Sequence, residues 1–345
     1  MKKILVTGGA GYIGSHTVVS LMERGFTPVI ADNFANSQPS ALEGIRAITG
    51  QKAIFVEGDC GDPAFLASLF GQHHIDGVIH FAAFKAVGES VENPLAYYRN
   101  NVGSLLHLLE AMKDGNVRNL VFSSSCAVYG QPSENPVRES TPRRDAESPY
   151  ANTKRIGEDI LADAVRARFP FRIVSLRYFN PIGAHPTAHL GEWPRGCPNN
   201  LVPYLTQTVA GWRRELSVFG DDYDTPDGTC IRDFCHVVDL AEAHTKALAF
   251  LREKKEMGLD TFNIGTGRGH SVRDVIRTFT EATGRKVPHA IAPRRPGDIQ
   301  QIWADTSKAA KQLQWQSRFT LKDALADAWR WQEKLNARRT SPEKP

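Results

Sequence analysis

The sequence predicts a Rossmann-type doubly wound parallel α/β sheet followed by a smaller mixed α/β unit, and three observations carry that reading. Apolar runs at 3–6, 28–31, 53–56, 77–82, 118–123 and 172–177 alternate with stretches of helical periodicity. A glycine-rich turn, Thr7-Gly8-Gly9-Ala10-Gly11-Tyr12-Ile13-Gly14-Ser15, lies between the first run and the first helix. After Tyr178 the rhythm breaks into a stretch rich in Gly, Pro and polar residues that reaches Asn200. The expected division is 1–180 for a dinucleotide-binding unit and 181–345 for a substrate unit, with some later elements returning to the first.

Lys3-Ile4-Leu5-Val6 reads as a buried parallel strand. Gly8, Gly11 and Gly14 then supply a tight turn, close backbone approach to a pyrophosphate, and helix-to-strand contact. The helix that follows points its free N–H groups at the anion. The spacing is Gly-x-x-Gly-x-x-Gly, so its weight comes from its place between strand and helix. The second run ends at Asp32, whose carboxylate suits the adenosine ribose hydroxyls and would repel a 2′-phosphate, which favours NAD over NADP. The third brings Asp59 to a strand end, as a candidate adenine contact. The fourth, Gly77-Val78-Ile79-His80-Phe81-Ala82, carries small residues past its end, where backbone passes close to a cofactor. A long helix is expected over Leu95–Met112, with Asn100 and Asn101 inside it.

Tyr150 and Lys154 stand four apart in Ser148-Pro149-Tyr150-Ala151-Asn152-Thr153-Lys154. On a helix, phenol and ammonium then share a face, and the cation is expected to lower the tyrosine pKa by about 1–3 units. Together with the glycine turn, this pairing points to nicotinamide chemistry on an alcohol carbon. In the second unit, helices are expected near 201–212, 238–252, 271–283, 306–313 and 321–335, and strands near 216–219, 261–264 and 287–291. The tail at 340–345 reads as disordered.

Bulk properties narrow the partners. The chain has 345 residues, 41% of them hydrophobic, and a formal charge of +4 built from both signs scattered along it. No basic block interleaves with aromatics, so nucleic acid is not expected. Cys60, Cys126, Cys197, Cys230 and Cys235 form no Cys-x-x-Cys pair and are odd in number, which points away from a disulfide framework or a metal site and towards a reducing cytoplasm. Met1-Lys2-Lys3 is followed by too short an apolar run for a signal peptide, and no run is long enough to span a bilayer.

The motifs together resemble the extended short-chain dehydrogenase/reductase superfamily, and within it the UDP-glucose 4-epimerase family. Beyond the glycine turn and Ser148-Pro149-Tyr150, the resemblance runs through Lys85-Ala86-Val87-Gly88-Glu89-Ser90, Phe122-Ser123-Ser124-Ser125 and Arg177-Tyr178-Phe179-Asn180-Pro181. It continues in Pro198-Asn199-Asn200-Leu201, Arg232-Asp233-Phe234 and Pro293-Arg294-Arg295-Pro296-Gly297-Asp298. It implies NAD as cofactor, a UDP-hexose as substrate, and a homodimer through a helix pair that includes Leu95–Met112. Tyr150 would be the acid/base, Lys154 its partner, and Ser125 the hydrogen-bond partner of the reacting hydroxyl. On the cofactor side it implies Tyr12, Ile13, Asp32, Asn33, Asn36, Ser37, Asp59, Cys60, Phe81, Ala82, Lys85, Asn100 and Phe179. On the sugar-nucleotide side it implies Asn180, Asn200, Leu201, Ser217, Val218, Phe219, Arg232, Arg295 and Asp298. Two arginines suit one diphosphate, because each guanidinium offers a planar fork to phosphate oxygens.

The resemblance also separates neighbouring activities. Dehydratase relatives carry an acidic pair just after the serine or threonine, where this chain has Cys126-Ala127, and decarboxylating relatives carry a glutamate nearby, where none occurs before Glu134. Ala83, Phe234 and Ile302 depart from the bacterial epimerase pattern. Ile302 stands where a tyrosine would exclude an N-acetyl group at C2, so the alternative expectation is a broader enzyme that also accepts UDP-GlcNAc and UDP-GalNAc.

Overall fold

The period-two alternation of the six runs decides how the sheet is covered. The structure, a computed structural model, describes residues 2–295 and 297–340. Strands β1 (Lys3–Thr7), β2 (Thr27–Asp32), β3 (Ile54–Glu57), β4 (Gly77–His80), β5 (Asn119–Ser125) and β6 (Arg172–Tyr178) all pair in parallel. On one face, Ile4, Val6, Ile30, Ile79, Val121 and Val174 join one buried cluster. On the other, Leu5, Val29, Ala31, Val78, Leu120, Phe122 and Ile173 join a second. Because side chains alternate across a strand, a one-residue slip would exchange the two sets. Each buried Val or Leu contributes roughly 1.5–3 kcal/mol to holding the register.

Helices α1 (Tyr12–Glu23) and α2 (Ser40–Thr49) cover the first face, and α3 (Pro63–Gln72) covers the second. Asp62 caps α3 by accepting from the Ala64 N–H at 2.8 Å, and Pro63 fills its first turn. Two short helices, α4 (Val87–Glu92) and α5 (Pro94–Tyr97), lead through a π-helical turn at Tyr98–Val102 into α6 (Gly103–Asp114). The single helix expected over Leu95–Met112 is therefore a composite, and α4 is an element the sequence reading did not anticipate. The run expected at 77–82 ends as a strand at His80, because the Ala82 N–H turns to the Thr7 hydroxyl at 3.4 Å. Helix α7 (Pro149–Arg166) follows β5 and carries Tyr150 and Lys154.

Beyond β6 come β7 (Asn180–Ile182), α8 (Leu201–Val209), β8 (Leu216–Phe219), β9 (Ile231–Arg232) and β10 (Phe234–His236). Then α9 (Val237–Glu253) and β11 (Gly258–Ile264) return to the large sheet. Strand β11 pairs with β6 from Gly258–Arg172 to Ile264–Tyr178, and α9 lies beside α1 through Ser20–Thr245 at 3.0 Å. The sequence rhythm had placed 238–252 and 261–264 with the substrate unit. Their position in the chain does not reveal that β11 completes the sheet order β11-β6-β5-β4-β1-β2-β3. The chain closes with β12 (His270–Ser271), α10 (Val272–Thr283), β13 (His289–Ala292), β14 (Gln301–Ile302) and α11 (Leu321–Thr340). The helix expected at 306–313 is a short turn that ends in a π-helical segment, Ala309–Leu313. A separate apolar core, with Leu205, Val218, Phe234, Phe279 and Leu325, unites α8, β8, β10, α10 and α11. The tail expected to be disordered lies outside the described residues beyond Thr340. No helix among the described residues is long and apolar enough to cross a membrane.

Candidate active site

The sheet order reverses between β1 and β4, and the crevice at that switch point is where a doubly wound sheet takes its ligand. Gly8 adopts φ +69°, and a Cβ there would meet the Ala82 main-chain nitrogen at 2.8 Å. A Cβ on Gly14 would meet the Gly8 carbonyl oxygen at 2.2 Å. Glycines at these positions let the turn pack directly on the backbone after β4. Gly11 gives α1 no side-chain cap, so the leading N–H groups of the helix suit a ligand's oxygens. This cradle fits a dinucleotide pyrophosphate.

Asp32 ends β2 with its carboxylate buried, accepting from the Ala10 N–H at 3.0 Å, the Phe34 N–H at 2.9 Å and the Ser37 hydroxyl at 2.7 Å. A carboxylate has about four lone-pair sites, so capacity remains for ribose hydroxyls. Asn33 holds the Ala35 N–H and Asp59 holds the Gly61 N–H, each through a side-chain oxygen, while Asn36 is exposed. Cys60 is a core thiol pushed up to about 12 by burial. Ile13 packs into the core of the first sheet face, and Tyr12 donates its hydroxyl to the Gly183 carbonyl at 2.7 Å. Phe81 packs its ring 4.6 Å from that of His244. Asn100 donates to Asn101 at 2.8 Å.

Ser148 caps α7 by accepting from the Ala151 N–H at 3.2 Å, which fixes Tyr150 in the first helical turn. Ser125, at the end of β5, accepts from the Ala127 N–H at 3.2 Å, and its hydroxyl favours the ionised form of Tyr150. The net shift of Tyr150 is nevertheless strongly upward. Burial of the hydroxyl is the largest cause, and Tyr178, Cys126 and Tyr97 push the same way. The lowered phenol expected beside Lys154 therefore gives way, in the ligand-free chain, to a raised one. The ammonium donates instead to the Ser123 carbonyl at 2.7 Å and sits 5.3 Å from the Phe122 ring centre. Burial pushes Lys154 down to about 8, opposed by the charge of Glu158.

On the far lobe, Arg232 and Arg295 converge on one carboxylate oxygen of Asp298, at 3.9 and 2.7 Å. Arg295 also lies 5.4 Å from the Phe219 ring centre at the end of β8, where Val218 is buried and Ser217 half-buried. Asn180 donates its N–H to the Asp233 carbonyl at 2.9 Å, and Leu201 opens α8 directly after Asn200. Phe179 and Ile302 are buried in one small apolar cluster with Val128, Tyr129, Val137 and Ala304. Strand β14 sets Ile302 opposite Arg232.

Two supporting residues, Glu158 and Glu192, escaped the sequence reading, and two that it named without a role, Asn101 and Asp233, prove to be supports as well. Glu158 accepts from Ser124 at 2.7 Å, from Ser175 at 3.0 Å, and from Arg177 at 2.9 and 2.6 Å, which ties α7 to β5 and β6. Its place one turn past Lys154 was the available signal. Asn101, in the π-helical turn, accepts from the Phe84 N–H at 2.8 Å and donates to the Phe84 carbonyl and the Thr153 hydroxyl, each at 3.0 Å. Asp233, fully buried, accepts from the Thr266 N–H and hydroxyl, the Gly267 N–H and the Ala304 N–H, and so fixes the backbone beside Arg232. Glu192 contacts both Lys85 and Asn200.

The model of the NAD dependent epimerase/dehydratase family matches residues 4–265. The UDP-glucose 4-epimerase of Yersinia pestis is 49% identical over 331 residues, covering 96% of this chain and 97% of that protein. Among solved structures, UDP-glucose-4-epimerase from Stenotrophomonas maltophila with bound NAD and formylated UDP-arabinopyranose is 46% identical, covers 98% of this chain and 100% of that one, and superposes with a TM-score of 0.95. UDP-glucose 4-epimerase from Bifidobacterium longum in complex with NAD+ and UDP is 46% identical over 96% of this chain and 98% of that one, with a TM-score of 0.93. The match takes in both the dinucleotide cradle and the arginine-bearing lobe, and the chain belongs to the NAD dependent epimerase/dehydratase family, in the branch of the UDP-glucose 4-epimerases.

Proposed function

We propose that this chain interconverts UDP-galactose and UDP-glucose through a transient 4-keto sugar, with NAD retained throughout. The observation that carries the reading is the pairing of Tyr150, in the first turn of α7, with Ser125 at the carboxyl end of β5, two strands from the glycine cradle after β1, with Arg232 acting electrostatically on the adjoining Cys126. When bound, NAD takes the hydride from the sugar's C4 and returns it to the opposite face.

Tyr150 removes the C4 hydroxyl proton and later gives it back, and Ser125 orients that hydroxyl. Burial holds the phenol neutral in the ligand-free chain, so proton removal draws on positive charge added to the pocket. Lys154 contributes in part, because an ammonium has three donors and the Ser123 carbonyl engages one. Arg232 and Arg295 grip the diphosphate bidentately and leave the hexose ring to turn over. Gly8, Gly11, Tyr12, Ile13, Gly14, Asp32, Asn33, Asn36, Ser37, Asp59, Cys60, Phe81, Ala82, Lys85, Asn100 and Phe179 hold the dinucleotide, several through main-chain atoms. Asn180, Asn200, Leu201, the Ser217–Phe219 strand, Asp298 and Ile302 line the sugar-nucleotide side. Cys126 gives no acid/base for dehydration, since burial pushes its thiol up to about 12.

The two separate apolar cores support a cofactor unit at 1–180 and a mainly sugar-nucleotide unit from 181, with α9 and β11 serving the first. Val87, Val91 and Leu95 are 47%, 61% and 73% exposed on α4 and α5, and Leu106 is 44% exposed on α6, which supports a homodimer through a helix pair that includes Leu95–Met112. Five free thiols suit a reducing cytoplasm.

The test is Tyr150→Phe. Turnover of UDP-galactose should fall by at least about a hundredfold, with the dinucleotide still bound. Near-normal turnover would end the assignment, and stoichiometric consumption of NADH by the unaltered chain would make it a simple reductase.

A further inference from the structure

We propose that Glu192 is a positioning residue for the sugar nucleotide, holding Lys85 from the cofactor side and Asn200 from the substrate side in one arrangement. Its Oε1 accepts from the Lys85 ammonium at 2.9 Å and from the Asn200 side-chain amide at 2.8 Å. These two donors come from the loop after β4 and from the residue before α8, so the carboxylate joins the two halves of the cleft. It also bears electrostatically on Tyr12, at the start of α1.

The carboxylate is built in place. The side chain of Glu192 is only 10% exposed, although that of Lys85 is 57% exposed. The Trp331 indole N–H of α11 donates to the Glu192 carbonyl at 3.0 Å, and Trp193 packs edge-on against the same indole. Gly191 lies so close that a Cβ would meet the Trp331 ring at 2.4 Å. Ala184 and Gly191 form an antiparallel bridge just before it. Residues on both sides of Glu192 are thus locked on the C-terminal helix, which aims its side chain across the cleft.

The arrangement matters because a free lysine and a free asparagine must surrender rotamer freedom when they meet a ligand. With Glu192 present, that ordering precedes binding. The Lys85 ammonium keeps two donors and the Asn200 amide keeps one for the ligand's oxygens. Because the Lys85 pair is half in water, it adds little to folding stability, so its effect should appear in binding.

This inference rests on the proposed reading of the cleft. Its test is isothermal titration of UDP into the purified holoenzyme carrying Glu192→Ala or Glu192→Gln, with kcat, KM for UDP-galactose and retained dinucleotide measured alongside. Glu192→Ala should weaken UDP binding by about tenfold and raise KM in step, with kcat within about twofold. Glu192→Gln, which keeps an acceptor oxygen but no charge, should fall between the two. Unchanged affinity and KM would overturn the proposal. So would tighter UDP binding, which would make Glu192 a competing anion, or a loss confined to kcat. An inactive unaltered chain would instead sink the epimerase reading, and the UDP titration would still judge Glu192.

Discussion

The Lys154 ammonium donates to the Ser123 carbonyl at 2.7 Å, which fastens α7 to the strand that ends in Ser125. Burial pushes this lysine down to about 8 from the 10.5 of a free side chain. Between those values the unfolded chain keeps a proton that the folded chain has released, so stability rises with pH across that window. Against Lys154→Met, the unaltered chain should gain on the order of 3 kcal/mol of relative stability between pH 7 and pH 10.5. Urea unfolding of both proteins, free of dinucleotide, reads this directly. Parallel pH profiles would mean that the lysine is not desolvated.

Glu158 is expected to be the costliest single charge to remove. Burial raises its pKa, but the Arg177 hydrogen bonds and charge, with Ser124 and Ser175, outweigh it and hold the carboxyl below its ordinary value. Its contribution is therefore present at neutral pH and lost as pH falls through the folded value. Glu158→Gln leaves a buried guanidinium short of its counter-charge and should cost about 3–5 kcal/mol. Replacing Glu158 and Arg177 together by apolar residues should recover part of that loss. Chemical denaturation of the three variants checks both statements.

Gly14→Ala tests the cradle separately from the chemistry. The added methyl would lie 2.2 Å from the Gly8 carbonyl oxygen, so the turn must open. Bound dinucleotide, measured by absorbance after denaturing the purified protein, should drop at least about tenfold, in proportion to a few kcal/mol of lost fit. Full retention would show that the turn does not carry the pyrophosphate.

Ile302 is 1% exposed and packed in one apolar cluster with Phe179. Ile302→Ala should raise turnover of UDP-GalNAc relative to UDP-galactose by about tenfold, the range that a few methylenes control in a pocket. A ratio that does not move would place the C2 substituent elsewhere.

Local spacing made much of this protein legible. The glycine turn, Asp32 at the end of β2, and Tyr150 four residues before Lys154 could all be read because a helix or strand fixes which neighbours share a face. The alternation of six apolar runs likewise dictated a sheet buried on both sides. Tertiary structure decided what those residues touch. Lys154 meets a carbonyl 31 residues away, Lys85 meets Glu192 across 107, and Arg232 joins the local Arg295–Asp298 pair from a separate strand, β9, which pairs with β14. Burial, which controls the proton affinities of Tyr150 and Lys154, is a property of the packed molecule. Sequence period sets the direction in which a side chain points, whereas its partners and its access to water arise only when distant segments close around it.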